Sequence, residues 1–380
     1  MSHAATTTSA MRTRRRPMGG DYHSQDESPG RGMKPLAPLL ATAYGRLREA
    51  GDWPPRKILL IRRNGIGDMI CALPLVRRVR AAFPAARIDL LASERNAPIL
   101  ERLALLDRVL VYRRGSGLLR NHYFNLRRFM RPLRDERYDL VVAIAGGFSK
   151  LLAVITYATG IPRRIGFVPA AGHALDFCFN VPVAQPASRE HQIERCLRLA
   201  EALGLPPVPI EVGFPVGGDD ERYARGTMAA HGLHDRAFVL YNVSSSRPES
   251  SWPAAAIAHV AAALERRHGL PTLACGLPQD APTLRATGLS HAVTPGVHQY
   301  AALVRESRFL MCSDGGAMHV AAAMKTPAFV LFATADPQVW RPWGVPFAYV
   351  RSGSRVADIA LEPVLERLAQ WLPTLKDWSG

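Results

Sequence analysis

The 380-residue sequence has few cysteines and no arrangement of them that suggests a framework. Cys71, Cys178, Cys196, Cys275 and Cys312 are odd in number and dispersed, with no CxxC pair. That pattern argues against a disulfide scaffold or a zinc site and fits a reducing compartment. No apolar run approaches the roughly 18–20 residues that span a bilayer. The start of the chain has no apolar core of the kind a signal peptide carries, so export is not expected and a cytoplasmic place is. No DxD acidic pair flanks the Gly-rich turns described below, so no metal and no cofactor are expected.

Acidic residues are scarce in one part of the chain only. The formal net charge is +16. Residues 57–205 hold 24 Lys and Arg against 12 Asp and Glu, whereas residues 206–380 hold 15 of each. A field concentrated in the front half attracts polyanions, whether nucleic acid, an anionic membrane surface or a phosphorylated substrate. Charge alone does not choose among them.

Residues 1–56 read as a basic tail, disordered over its first 35 residues, with the run Arg14-Arg15-Arg16-Pro17 and a short helix from about Leu36. From Lys57 the pattern becomes α/β. The buried-strand run Ile58-Leu59-Leu60-Ile61 is followed by a Gly-rich turn and a helix from Met69 to Ala82 with an apolar and a basic face. Further strands are expected at 87–91, 109–111 and 140–144. A second series starts at Phe238, with helices at 254–268, 298–305 and 317–324 and strands at 272–274, 309–312 and 328–332. The expected fold class is α/β: two Rossmann-like, doubly wound domains facing a cleft, 57–208 and 209–380, joined near Pro206-Pro207-Val208-Pro209.

Three strand-to-helix turns carry the polar chemistry. In Arg62-Arg63-Asn64-Gly65-Ile66-Gly67-Asp68 the glycines permit close backbone approach, and Asp68 either caps the helix or acts as a general base on a hydroxyl. In Ser313-Asp314-Gly315-Gly316-Ala317-Met318-His319 the free N–H groups of a helix start suit a phosphate; a tight turn capped by Asp314 is the alternative, and the two adjacent glycines with an in-phase His319 favour the anion site. Asn242-Val243-Ser244-Ser245-Ser246-Arg247 offers hydroxyls and a guanidinium to diphosphate oxygens, or is a solvated loop. A fourth stretch, Arg113 to Arg137, has eight arginines interleaved with aromatics. It reads as an amphipathic helix, a nucleic-acid surface or a glycolipid contact.

Taken in order, these segments resemble glycosyltransferase family 9, the lipopolysaccharide heptosyltransferases. Lys57 to Arg62 with Gly67-Asp68 and Leu73-Pro74 looks like the family's first strand and loop. His191 to Leu199 looks like its interdomain helix, and Ser313 to His319 with Thr326-Pro327 like its D-[TS]-G-x-x-H signature. Asp336-Pro337, Trp340 and Gly344 resemble its closing element. The resemblance implies the GT-B architecture and an inverting, metal-independent transfer from a nucleotide sugar, ADP-heptose among the possible donors, to an anionic glycolipid. By that pattern Asp68 is the base. Ser245, Ser246, Arg247, Asp314, Gly315, Gly316, Ala317 and His319 hold the donor, and Arg62, Asn64, Arg120 and Arg127 meet the acceptor. Two departures stand out: Ser250 occupies the place of a lysine two residues before Trp252-Pro253, and Gly315 replaces the signature's hydroxyl. A nucleotide-sugar epimerase or hydrolase on the same scaffold, a nucleic-acid-binding protein and an inactive partner subunit are the alternatives. Peripheral contact with the inner membrane is expected, and nucleic acid is not.

Overall fold

The computed structural model describes residues 36–44, 47–48, 53–112, 124–186, 189–245, 250–376 and 378. The leading 35 residues, Arg120, Ser246 and Arg247 lie outside that set, as does the side chain of Arg127.

The apolar runs become strands because their side chains are covered on both faces. Strands β1 (Lys57–Arg62), β2 (Arg87–Ser93), β3 (Arg108–Tyr112), β4 (Leu140–Ala143), β5 (Arg163–Val168) and β6 (Val181–Ala184) form one sheet in the order β3-β2-β1-β4-β5-β6. Strands β7 (Val239–Asn242), β8 (Thr272–Gly276), β9 (His291–Val293), β10 (Phe309–Ser313), β11 (Ala328–Phe332) and β12 (Phe347–Arg351) form a second, in the order β12-β11-β10-β7-β8-β9. Every pairing in both sheets is parallel. The two orders are the same doubly wound topology, so each sheet has one switch point, between β1 and β4 and between β7 and β10. Ligands bind outside the carboxyl ends of strands at such points, and all three polar turns of the sequence fall there.

Helices α1 (Leu36–Tyr44), α2 (Ile66–Ala82), α3 (Phe124–Asp135), α4 (Lys150–Ala158) and α5 (Gln192–Glu201) accompany the first sheet. Helices α6 (Gly218–Ala230), α7 (Ala254–His268), α8 (Ala281–Ala286), α9 (Val297–Glu306), α10 (Gly316–Ala323), α11 (Pro337–Trp340) and α12 (Leu361–Trp371) accompany the second. Local chemistry sets their ends. Helix α7, for example, stops at Gly269, which takes the left-handed conformation at φ 65° after a last turn carrying Arg266, Arg267 and His268.

Helix α2 ties the halves together. It packs against α5 and against α10, and a single hydrophobic core runs from Ile58 and Ile70 through Phe214 to Met318 and Val330. Its basic face is turned to carbonyls of the protein. Arg77 Nη2 donates to Gly213 O at 2.8 Å, and Arg78, almost wholly buried, donates to Leu205 O and Pro206 O. The segment between the sheets is thereby strapped along the helix. On the far side Arg102 pairs with the buried Asp220, which also accepts from Gln299 Nε2 at 2.6 Å. The ring nitrogens of His298 lie 2.9 and 3.2 Å from Pro98 O and Pro215 O.

At the amino edge of the first sheet, Asp89 is fully buried and receives Arg87, Arg108 and the Tyr138 hydroxyl. A buried carboxylate with three donors is costly to remove, because its partners are left without a counter-charge. Asp89→Ala is expected to cost about 3 kcal/mol of stability. Urea unfolding followed by circular dichroism measures it, and an unchanged midpoint would show the network to be unimportant.

Candidate active site

Helix α2 starts three residues earlier than its apolar spacing suggests, with Gly65 as its N-cap. Asp68 therefore sits in the first turn rather than at the cap. Its Oδ2 accepts the Gly65 N–H at 3.1 Å, so the carboxylate still satisfies an orphan donor of the helix start. Its Oδ1 accepts Arg62 Nη2 at 2.6 Å. The carboxylate remains 23% exposed.

Arg62, the last residue of β1, is only 1% exposed. Nε donates to Asp68 O and Nη1 to Ile144 O, each at 3.1 Å. An enclosed guanidinium whose donors face the protein is not disposed to meet an acceptor sugar. Asn64, by contrast, is exposed at the tip of the turn. The turn is held from below by Asn96, which is fully buried. Its Nδ2 donates to Asn64 O at 2.8 Å and Arg62 O at 3.1 Å, while Oδ1 accepts the Ser93 N–H. Nothing in the sequence pattern marks Asn96, which acts more than thirty residues away from the turn it fixes.

The second turn meets the first directly. A Cβ on Gly316 would lie 3.2 Å from Ile66 Cβ and 3.5 Å from Gly67 N. One on Gly67 would lie 2.4 Å from His319 Cδ2. Both glycines are thus required by the approach of the two halves. Gly315 caps α10 and is exposed, with Gly316 and Ala317 half-buried behind it. The N–H groups of the first turn of α10 therefore have no carbonyl partners within the helix, and Gly316 at that turn packs against Ile66 and Gly67, the two residues before Asp68. Asp314 is buried, its N–H bonded to Leu331 O at 2.9 Å.

His319 is placed differently from an open donor. It is 3% exposed, packed edge-on to Trp340 at 6.0 Å, with Nδ1 3.5 Å from Cys71 Sγ. Burial, and then the neighbouring His191, push its pKa down to about 3, so the ring is neutral. His191 is the N-cap of α5. Its Nδ1 accepts the Ile193 N–H and its Nε2 donates to Arg341 O at 2.8 Å, another link between the halves. Burial lowers its pKa too.

In the third turn Ser244 is committed: its hydroxyl donates to Asp280 and accepts the Leu277 N–H. Asp280 was not evident from the sequence, since it lies 36 residues downstream. Ser245 is half-buried at the crevice side of β7. Ser250, at the position of the family's lysine, is buried, and among the described residues its hydroxyl has no hydrogen-bond partner. Among the described residues no three His, Cys, Asp or Glu side chains converge as metal ligands, and no helix is long and apolar enough to cross a membrane.

Two doubly wound halves, with a carboxylate on one switch point facing a helix N-terminus on the other, match a known group of proteins. A sequence model of glycosyltransferase family 9 (heptosyltransferase) matches residues 126–358, more than half of the chain. The chain belongs to glycosyltransferase family 9. Lipopolysaccharide heptosyltransferase 3 of Escherichia coli (strain K12) is 24% identical over 291 residues, 73% of this chain and 82% of the relative. The family 9 glycosyltransferase of Veillonella parvula DSM 2008 superposes with a TM-score of 0.71 at 18% identity, covering 84% of this chain and 97% of that one. The E. coli ADP-heptose lps heptosyltransferase II gives 0.65 at 22%, covering 84% and 99%. The family 9 fold expected from the motifs, GT-B, is the one found, and the protein is a glycosyltransferase.

Two outcomes follow from the contact between the halves. His319 is neutral when folded but has an ordinary pKa of 6.5 when unfolded. Between those values the unfolded chain binds the extra proton, so stability is complete above about pH 6.5 and is lost as pH falls toward 3. The loss runs at up to about 1.4 kcal/mol per pH unit. Thermal unfolding between pH 7 and 5 measures it, and His319→Gln is expected to flatten the slope; an unchanged slope would mean that His319 is protonated in the folded protein. Gly67→Ala, with no room beside His319, is expected to lower kcat/KM for glycosyl transfer about tenfold or more, because displacing the ring moves the two turns apart. Full activity in that variant would show the approach to be adjustable.

Proposed function

We propose that the protein transfers a heptose from ADP-heptose to a hydroxyl of a lipopolysaccharide core acceptor, inverting the anomeric carbon without a metal. The observation that carries this reading is the apposition of Asp68 to the N-terminal turn of α10 across a contact no wider than Gly316 against Gly67. Family membership and the donor named for the E. coli heptosyltransferase II support the choice of sugar and nucleotide.

In this mechanism Asp68 removes the proton of the acceptor hydroxyl as its oxygen bonds to the anomeric carbon. The bond from that carbon to the diphosphate oxygen breaks in the same displacement, which is what inverts the centre. The leaving diphosphate takes its negative charge into the N–H groups of Gly316 and Ala317, where fixed dipoles stabilise it without reorganisation. Asp314, Gly315 and His319 shape that cradle, His319 as a neutral wall rather than a cation. Ser245, Ser246 and Arg247 complete the donor side, with Arg247 supplying the charge that Ser250 does not. Asn64, exposed at the tip of its turn, meets the anionic acceptor together with Arg120 and Arg127, and the basic front half keeps the enzyme at the inner membrane surface as a peripheral protein.

The test is transfer of heptose from ADP-heptose to a truncated lipopolysaccharide core, read by the mass of the product, with excess EDTA present. Asp68→Asn is expected to lower kcat by about 10²–10⁴-fold, the usual contribution of a positioned general base. Dependence on added metal, or hydrolysis or epimerisation of the donor with no acceptor present, would overturn the reading.

A further inference from the structure

The residue behind the base has a part of its own. Arg62 is 1% exposed, and a cation taken out of water is tolerated only when it is paired and hydrogen-bonded. Among the described residues its carboxylate partner is Asp68, through Oδ1 at 2.6 Å. The same guanidinium reaches Asp68 O through Nε and Ile144 O through Nη1. It therefore spans the backbone of the α2 first turn, the carboxylate on that turn and the end of β4, the strand across the switch point from β1. Asn96 fixes the carbonyl of Arg62 itself. Without the guanidinium, Asp68 keeps among the described residues the Gly65 N–H alone, on Oδ2, and its carboxylate is less restrained against rotation.

We infer that Arg62 is a positioning residue for the transfer reaction, holding the Asp68 carboxylate toward the acceptor hydroxyl without touching either substrate. The inference rests on Asp68 being the base. Its geometry accounts for an arginine at this place: a lysine's single ammonium group does not bridge Asp68 Oδ1, Asp68 O and Ile144 O at once. Aligning a reacting group is worth orders of magnitude in rate, and the benefit appears in the chemical step. A guanidinium that bound the acceptor would instead appear in KM.

The experiment compares Arg62→Lys, Arg62→Gln, Asp68→Asn and the Arg62→Gln/Asp68→Asn double variant in heptose transfer from ADP-heptose. Circular dichroism and thermal unfolding report the fold of each, and Arg62→Lys guards against a variant that does not fold, because it keeps the buried charge. Arg62→Gln is expected to lose about 100-fold in kcat, with KM for donor and acceptor within about twofold of wild type. Arg62→Lys should recover part of that loss. In the double variant the arginine change should cost less than about twofold beyond Asp68→Asn, because both act through one group. If Asp68→Asn is inactive while Arg62→Lys and Arg62→Gln keep full kcat, or raise only the acceptor KM, the positioning role is overturned and the base reading stands. Additive losses in the double variant overturn it as well. If Asp68→Asn is as active as wild type, the base reading fails and the role of Arg62 fails with it.

Discussion

The close approach of α2 to α10 is the constraint on which the rest of the site depends. Two helix starts, one from each sheet, touch through glycine: Gly67 under the His319 ring and Gly316 against Ile66. With a side chain at either place the Asp68 carboxylate on α2 and the N–H groups at the start of α10 would be held farther apart. The same contact explains the burial of His319 and Cys71, since the ring fills the space that Gly67 leaves. Burial in turn keeps His319 neutral and holds the Cys71 thiol well above its ordinary pKa. A packing requirement has thereby fixed the charge state of the site.

The front-half excess of positive charge has a different meaning in three dimensions than in composition. Arg62, Arg78 and Arg164 are buried and donate to carbonyls of the protein. Arg77 and Arg80 do the same from the basic face of α2. These guanidiniums act as multi-pronged donors that satisfy loop carbonyls, a task for which their planar fork is suited. Part of what looks like a polyanion surface is internal scaffolding, so net charge overstates the field available to an acceptor or a membrane.

What was legible in the sequence is what local pattern encodes. The span of α7 and that of β11 are those the apolar spacing suggests, and all three polar turns lie at switch points. Four strands were not foreseen, for physical reasons: β6 and β9 are short edge strands, β12 is a partly exposed edge, and β5 opens with two arginines. The sequence offers Asp68 as a helix cap or as a general base; its carboxylate serves the helix start from the first turn rather than from the cap, accepting the Gly65 N–H with one oxygen and Arg62 with the other. His319 could be read as an exposed donor because its burial comes from a helix some 250 residues earlier. Asn96 and Asp280 were invisible for the same reason: each supports a turn from a distant place in the chain.

On the proposed reaction, neutrality of His319 sharpens the question of what compensates the leaving diphosphate. A helix N-terminus presents about half a positive charge, while a nucleoside diphosphate carries more negative charge than that. The lysine position of the family is occupied here by a buried serine, and its hydroxyl contributes no charge. Within the same turn the sequence offers one cation, Arg247, three residues before that serine. A guanidinium differs from an ammonium in binding two phosphate oxygens at once in a fixed plane. On the proposed reading, a cation at Arg247 in place of the lysine therefore does more than preserve charge: it exchanges a point contact with the diphosphate for a directional one.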